Sequence, residues 1–279
     1  MEYLEFTFKI NATEVREILI AELNKQGFDG FVEESDFFMA YIPSEIYHEE
    51  NLVRLIKLHS QNTSITYDHK IIKEKNWNEE WEKNYPSVLI AGKCLIRAPF
   101  HKPVDNILYD IIIEPKMSFG TAHHETTSLM IETIMETDMK GLNVLDMGCG
   151  TGVLAILASK LGAKQVTAID NDEWSFINAK ENTERNAANN VNVLLGDAEL
   201  LNEKTFDVIL ANINRNVLTK YIPNYASCLN TNGILIVSGF YEDDIKIISE
   251  HADLSGLFYS RHELKNNWAV IVFKKIEIA

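Results

Sequence analysis

The 279-residue chain is first narrowed by what it lacks. It has only three cysteines, Cys94, Cys149 and Cys228. They are odd in number and far apart, which argues against a disulfide framework and suits a reducing cytosol. No C-x-x-C pair occurs, so a zinc ribbon has no ligands. No basic-then-apolar leader opens the chain, and no apolar run approaches the roughly 20 residues of a membrane helix. There is no fixed-period repeat and no low-complexity tract. Basic residues are also scarce, with 26 Lys and Arg against 41 Asp and Glu, for a net charge of −15. A surface that acidic repels phosphate backbones, which disfavours general nucleic-acid binding and suits a basic partner. The expectation is a soluble cytoplasmic protein with no membrane contact, long enough to bury a core without staples.

Two blocks are legible. From Met1 to about Ile72 the pattern reads β-α-β-β-α-β, the ferredoxin-like order. YLEFTFKI alternates, with Leu4, Phe6, Phe8 and Ile10 on one face. A helix follows with Val15, Ile18, Leu19 and Leu23 in its stripe, Asn11 or Thr13 as cap and Gly27 as stop. Two short strands, a helix over Ser44 to Ser60 and the strand TSITYDHKII complete the block. WNEEWEKNYP, Trp77 to Pro86, reads as a connecting helix with Trp77 and Trp81 on one face. Short strands are expected near Leu95–Ala98 and Asp110–Glu114. A helix spans His124 to Met139, and from there near-continuous apolar strands alternate with helices, one of them broken at Pro223. That alternation describes a parallel sheet covered on both faces.

The strongest signal is V-L-D-M-G-C-G-T-G, Val144 to Gly152. A buried strand turns through Gly148, Gly150 and Gly152 into a helix. Glycines there allow a sharp turn and close approach of a ligand, and the new helix offers free N–H groups. Asp170, at the end of the next strand, is placed to accept hydrogen bonds from both hydroxyls of a ribose. The spacing is G-x-G-x-G, not the G-x-G-x-x-G of nicotinamide enzymes, and Asp146 precedes the first glycine. A carboxylate gains nothing from a pyrophosphate, whereas a sulfonium and an ammonium fit it. A structural turn is the competing explanation.

This constellation resembles the class I S-adenosylmethionine-dependent methyltransferases. KMSFGTAHHETT (Lys116 to Thr127), DMGCGTGVLAILASKLGA, AIDND and ANINRNVL (Ala211 to Leu218), with the Trp-x-x-x-Trp linker and the small first block, are similar to ribosomal-protein methyltransferases of the PrmA type. The resemblance implies an α/β fold: a ferredoxin-like substrate-recognition domain over 1–72, a linker helix and connecting strands over 73–113, and a seven-stranded Rossmann-like catalytic domain over 114–279. It implies methyl transfer from S-adenosylmethionine to amino groups, lysine side chains or the N-terminal amine, of large-subunit ribosomal protein eleven, a basic partner. It implies cofactor binding by Thr127, Gly148, Gly150, Asp170, Asp197 and Asn212, with Asn212 catalytic and no metal. Two departures stand out. Ala122 replaces the last glycine of the family's Phe-Gly-Thr-Gly stretch, and would be strained at positive φ. Asn212-Ile213-Asn214-Arg215 replaces the Asn-Pro-Pro-Tyr run of other amino-methylating enzymes but matches this family.

Several roles have a plainer alternative. Asn212 could cap the helix that follows it. Asp197 could cap a turn. Thr127 could cap its helix, and Trp268 could cover the site or pack in the core. His123 and His124 lack a third metal ligand at suitable spacing. Seven acidic residues between Gly27 and Val53, with no Lys or Arg among them, would attract a basic protein or form an ordinary solvated face. Deleting residues 1–72 is expected to abolish protein methylation and leave cofactor binding. Two further functions stand beside the leading one: a class I methyltransferase with another protein or small amine as substrate, and a cofactor-binding adaptor without turnover.

Overall fold

The computed structural model describes residues 2–10, 12–60, 63–72, 85–116, 118–201 and 204–276. The chain divides into two compact units, residues 1–84 and 85–279.

The first unit has the element order β-α-β-β-α-β: β1 (Tyr3–Ile10), α1 (Thr13–Lys25), β2 (Gly30–Glu33), β3 (Phe38–Pro43), α2 (Glu49–His59) and β4 (Ile65–Ile72). Its sheet runs β2-β3-β1-β4, with every pair antiparallel. The alternation in β1 is realised: Leu4, Phe6, Phe8 and Ile10 are buried against Leu19 and Leu23 of α1 and Leu52 and Leu55 of α2. Ile18 turns outward, half exposed. Helix α1 begins at Thr13 behind Ala12, with no side-chain cap, so Thr13 does not serve as one. Gly27 ends it at φ +97°, where its N–H and that of Phe28 return to the last turn. The helix expected over Ser44 to Ser60 is split. A 3-10 turn, Ser44–Ile46, precedes α2, and His48 adopts extended backbone between them. The connecting helix with Trp77 and Trp81 falls outside the described residues except for Tyr85 and Pro86.

The second unit opens with a three-stranded sheet, β5 (Val88–Ile90), β6 (Cys94–Arg97) and β7 (Tyr109–Ile112). Strand β5 was not expected, being three residues long. Then come α3 (Glu125–Met135), β8 (Asn143–Met147), α4 (Val153–Lys160), β9 (Gln165–Asp170), α5 (Glu173–Arg185), β10 (Val191–Leu195), β11 (Phe206–Asn212), α6 (Arg215–Cys228), β12 (Leu229–Tyr241), α7 (Ile245–Leu254), β13 (Leu257–Lys265) and β14 (Trp268–Lys275). The large sheet has seven strands in the order β10-β9-β8-β11-β12-β14-β13. The first five are mutually parallel, and β14 runs antiparallel to both neighbours. Two apolar clusters cover the sheet. One joins α3 and α4 to alternate strand residues, and the other joins α6 and α7 to the remainder. Strand order reverses between β8 and β11, so their carboxyl ends open a crevice, the usual ligand position in such sheets.

Helix α6 is continuous, contrary to the break expected at Pro223. Ile222, Tyr225 and Ala226 around the proline are buried, while Pro223 itself is exposed. The carbonyl it leaves unpaired therefore lies on the wet side of the helix, and packing of the other side holds the backbone. The three cysteines are free and buried.

Candidate active site

A cavity of about 690 Å³ occupies the crevice. The ends of four adjacent strands form its floor: Met147 and Gly148 after β8, Ile169 and Asp170 on β9, Gly196 and Asp197 after β10, and Asn212 on β11. Five of the six residues expected to bind cofactor, namely Gly148, Gly150, Asp170, Asp197 and Asn212, line it. Thr127 is buried in α3 and does not line it, but its Oγ1 lies 3.5 Å from Asn212 Nδ2.

The glycine turn is built by left-handed backbone. Gly148 and Gly150 have φ of +70° and +52°. A Cβ on Gly148 would meet Ile213 Cγ2 at 2.4 Å, and one on Gly150 would meet the Phe119 carbonyl oxygen at 2.2 Å. The glycines thus admit the chain's own segments as well as facing the cavity. Thr151 clamps the same contact: its N–H donates to Phe119 O at 2.9 Å and its Oγ1 to Gly120 O at 2.7 Å. Asn182, fully buried, donates to Thr151 O and accepts from Glu114 N–H. The described parts of the 114–122 strap, residues 114–116 and 118–122, are therefore fixed against the turn. Ala122, within that strap, has φ +68° and is buried. The position is left-handed, so the departure from glycine is a strained one.

Asp170 is held before any ligand arrives. Its Oδ2 accepts from Gly150 N–H at 2.8 Å and its Oδ1 from Asp172 N–H at 3.0 Å. Each oxygen keeps a second lone pair for a hydroxyl donor. Asp197 Oδ1 accepts from Glu199 N–H at 3.0 Å, so it caps the 3-10 turn Ala198–Leu201 and also faces the cavity. Asp146, expected beside the ligand, does not line the cavity. It is 1% exposed, and its Oδ2 accepts from Ala155 N–H at 3.0 Å, tying β8 to α4. Its Oδ1 has no partner. Burial pushes this carboxyl up to about 7, opposed by the Ala155 N–H and aided by the Asp170 charge.

Asn212 ends β11. Its Oδ1 is buried without a hydrogen-bond partner while the residue faces the cavity. The helix-cap alternative is removed, because Asn214 caps α6, its Oδ1 accepting from Val217 N–H at 3.1 Å. Likewise His124, not Thr127, caps α3, its Nδ1 accepting from Thr126 N–H. Trp268 is partly buried, with its ring centre 4.6 Å from that of His124 and 4.0 Å from that of Tyr241.

One wall of the cavity was missed in the sequence. Val217, Tyr221 and Tyr225 recur every four residues on α6, a stripe that was visible once that helix was taken as unbroken. Lys220, also on this wall, donates to the Tyr221 hydroxyl at 3.0 Å. The Tyr225 hydroxyl is buried without a partner, and its pKa is raised, mainly by that burial.

The donor set fits S-adenosylmethionine. Two carboxylates stand where hydroxyl and amine donors can reach them, and one amide carbonyl is unpaired. The net charge of the lining suits a sulfonium rather than a phosphate. Among the described residues no group of three or more His, Cys, Asp or Glu could hold a metal ion. No described helix is long and apolar enough to cross a membrane.

Comparison with known proteins converges on this reading. A family model described as "Ribosomal protein L11 methyltransferase (PrmA)" matches residues 9–276. A Phocaeicola vulgatus protein named ribosomal protein L11 methyltransferase is 45% identical over 278 residues, covering 98% of this chain and 99% of that one. A protein of the same name from Dictyoglomus turgidum is 30% identical, covering 98% of each chain. Among solved structures, a ribosomal protein L11 methylase from Lactobacillus delbrueckii subsp. bulgaricus matches with a TM-score of 0.64 and 28% identity, covering 69% of this chain and 100% of that one. The chain belongs to the ribosomal protein L11 methyltransferase (PrmA) family.

Proposed function

We infer that this chain is an S-adenosylmethionine-dependent protein methyltransferase whose substrate is ribosomal protein L11, and that it methylates amino groups there. Family membership carries the activity and the L11 assignment. The observation that carries the chemistry is Asn212, which lines the cavity and whose side-chain carbonyl is buried without a hydrogen-bond partner.

S-adenosylmethionine, when bound, supplies an electrophilic methyl group whose transfer leaves a neutral thioether. The chain's own task concerns the acceptor. A lysine amine has a pKa near 10.4, so fewer than about one in 10³ is neutral at pH 7. Asn212 Oδ1 accepts an N–H of the amine and points its lone pair at the methyl carbon. An amide carbonyl does this without adding the negative charge that would hold the amine as ammonium. Thr127 fixes the amide from its other side. Gly148 and Gly150 hold the methionine part by backbone contact, Asp170 takes the ribose hydroxyls and Asp197 the adenine amine. Positioning of this kind supplies several kcal/mol.

Residues 1–72 act as the recognition domain, 73–113 as the connection and 114–279 as the catalytic domain. The seven acidic residues between Gly27 and Val53 are all exposed and suit a basic ribosomal protein. A cytoplasmic location follows from that substrate. Incubation with radiolabelled S-adenosylmethionine and purified L11 tests the reading. Label on L11 supports it, label only on other amines replaces the substrate, and binding without transfer removes the enzyme.

A further inference from the structure

The charges of the second unit are not spread evenly over its large sheet. Asp170, Asp172 and Glu173 stand at or just past the end of β9, and Glu242, Asp243 and Asp244 follow β12. Both groups lie at the carboxyl edge, the side that holds the cavity. The opposite, amino edge has another character. Four lysines gather around it, Lys93, Lys140, Lys160 and Lys164, all exposed. Among the described residues none of them makes a side-chain hydrogen bond or an ion pair. Four unpaired cations in one place stand out in a chain of net charge −15.

Backbone contacts bring the four together. Gly141 N–H donates to Gly162 O at 2.9 Å and Lys164 N–H to Leu142 O at 2.8 Å, so the turns before β8 and β9 lie side by side. A Cβ on Gly162 would stand 3.8 Å from Lys140 Cα, which sets Lys140 against the turn that Lys160 and Lys164 flank. Lys160 ends α4, and its charge reaches the start of β6: burial pushes the Cys94 thiol up to about 12, and Lys160 opposes that rise. Lys93 directly precedes Cys94. Three carboxylates stand near this group, and all are engaged. Asp110 is paired with Arg97, Asp138 Oδ1 accepts from Lys140 N–H at 3.0 Å, and Asp207 accepts from Asn143 N–H and Asn230 Nδ2. With Arg97 counted, five cations face three anions, and the local balance is positive.

Strands β8 and β9, of five and six residues, hold the two edges roughly 15 Å apart. Exposed charges are screened over about 8 Å at physiological salt. The acids of the cavity edge therefore count for little at the amino edge, and the repulsion of phosphate that the whole chain implies does not apply there. A lysine ammonium is a compact charge on a flexible stem and suits phosphate oxygens, whereas a carboxylate is better met by the planar fork of arginine. The guanidinium near by, that of Arg97, is already occupied by Asp110 and the His101 carbonyl. We propose that Lys93, Lys140, Lys160 and Lys164 form a docking surface for the phosphate backbone of RNA, on the side of the second unit away from the cavity. Contacts of this kind read no bases, so the binding is independent of sequence. None of the four lysines lines the cavity, so the surface stands apart from the methyl-transfer chemistry. Taken with a ribosomal protein as substrate, which rests on the reading above, it keeps the enzyme beside the RNA on which that protein is placed.

The test titrates the full chain into a short fluorescein-labelled single-stranded RNA of mixed sequence and follows its anisotropy from about 50 to about 200 mM KCl. Four phosphate contacts on a single strand give a slope of log Kd against log salt of about 3. Lys140→Glu, Lys160→Glu and Lys164→Glu together are expected to raise Kd about tenfold or more at the lower salt and to flatten the slope. S-adenosylhomocysteine affinity should match wild type, which reports that the variant is folded. The milder set Lys140→Gln, Lys160→Gln and Lys164→Gln should weaken RNA binding in the same direction, and it serves if charge reversal disturbs the fold. No RNA binding by wild type at the lower salt, or equal Kd in wild type and the folded variants, overturns the proposal. Displacement of the labelled RNA by poly-glutamate more readily than by unlabelled RNA makes the partner an acidic protein and also overturns it. If wild-type protein fails to methylate L11, the function above falls, while the RNA titration still decides on the lysines.

Discussion

Asn212 is the residue on which the proposed chemistry turns, and its two sequence readings were separated only by its neighbour. Both Asn212 and Asn214 stand before a helix, and spacing alone cannot say which one caps it. The backbone geometry gives the cap to Asn214 and leaves the Asn212 carbonyl unpaired. Asn212→Asp tests the requirement for a neutral acceptor. A carboxylate there stabilises the ammonium, so kcat/KM is expected to fall about 100-fold at pH 7. Part of the loss should return as pH rises toward the amine's own pKa. A uniform loss across the pH range would mean that geometry, not charge, is at stake. Ala122 poses the opposite problem, a strain without an evident gain. Relief of left-handed alanine by Ala122→Gly is worth about 1 kcal/mol. The lost buried methyl and glycine's added chain entropy each cost a similar amount. The variant is therefore expected to differ from wild type by less than about 1 kcal/mol in urea denaturation.

At the scale of elements, the strong periodic segments were legible because one principle governed each. Alternation placed β1, and the glycine turn with its flanking apolar strand placed β8 and α4. Where two influences competed, the sequence misled. Pro223 is a helix breaker by local chemistry, yet the buried Ile222, Tyr225 and Ala226 hold α6 in one piece. Pro223→Ala restores a backbone donor on the exposed face. It is expected to raise stability by about 1 to 2 kcal/mol, the helix gain exceeding the entropy proline removes from the unfolded chain. A urea midpoint at or below wild type would show that the local backbone is already fully adapted. Asp146 was legible as an acid beside the turn, but its direction was not: it holds helix α4 from beneath, through Ala155 N–H. Its folded pKa, about 7, lies above the ordinary carboxylate value because of burial. The folded state then binds the proton more readily than the unfolded chain. The stability linked to this group is present below pH 4 and is lost as pH rises to about 7. Asp146→Asn keeps an oxygen for Ala155 and cannot ionise. Its stability relative to wild type is expected to increase between pH 5 and pH 7.5, measured by denaturation at both values. A pH-independent difference would remove the linkage.

For the whole molecule, the net charge of −15 is unevenly shared. Residues 1–75 carry 8 basic and 14 acidic residues, a net of −6, and the other 204 carry 18 and 27, a net of −9. Per residue the first block is nearly twice as acidic. The structure adds what counting could not: Asp29, Glu33, Glu34, Asp36, Glu45, Glu49 and Glu50 are all exposed, while Phe28 and Phe38 from the same span are buried. The aromatics of that span thus supply core, and the acids are left to solvent and to a partner. Exposed charges of one sign raise association rates with an oppositely charged protein and lose that effect in salt. Reversing three of them near edge strand β2, as Glu33→Lys, Glu34→Lys and Asp36→Lys, should leave the core untouched. KM for L11 is expected to rise about threefold to tenfold at low ionic strength, with a flatter dependence of kcat/KM on salt. S-adenosylhomocysteine affinity should stay unchanged, because the cavity lies wholly in residues of the second unit. If KM and its salt slope match wild type, the acidic span serves solubility alone, and recognition of the basic substrate must come from elsewhere in the chain.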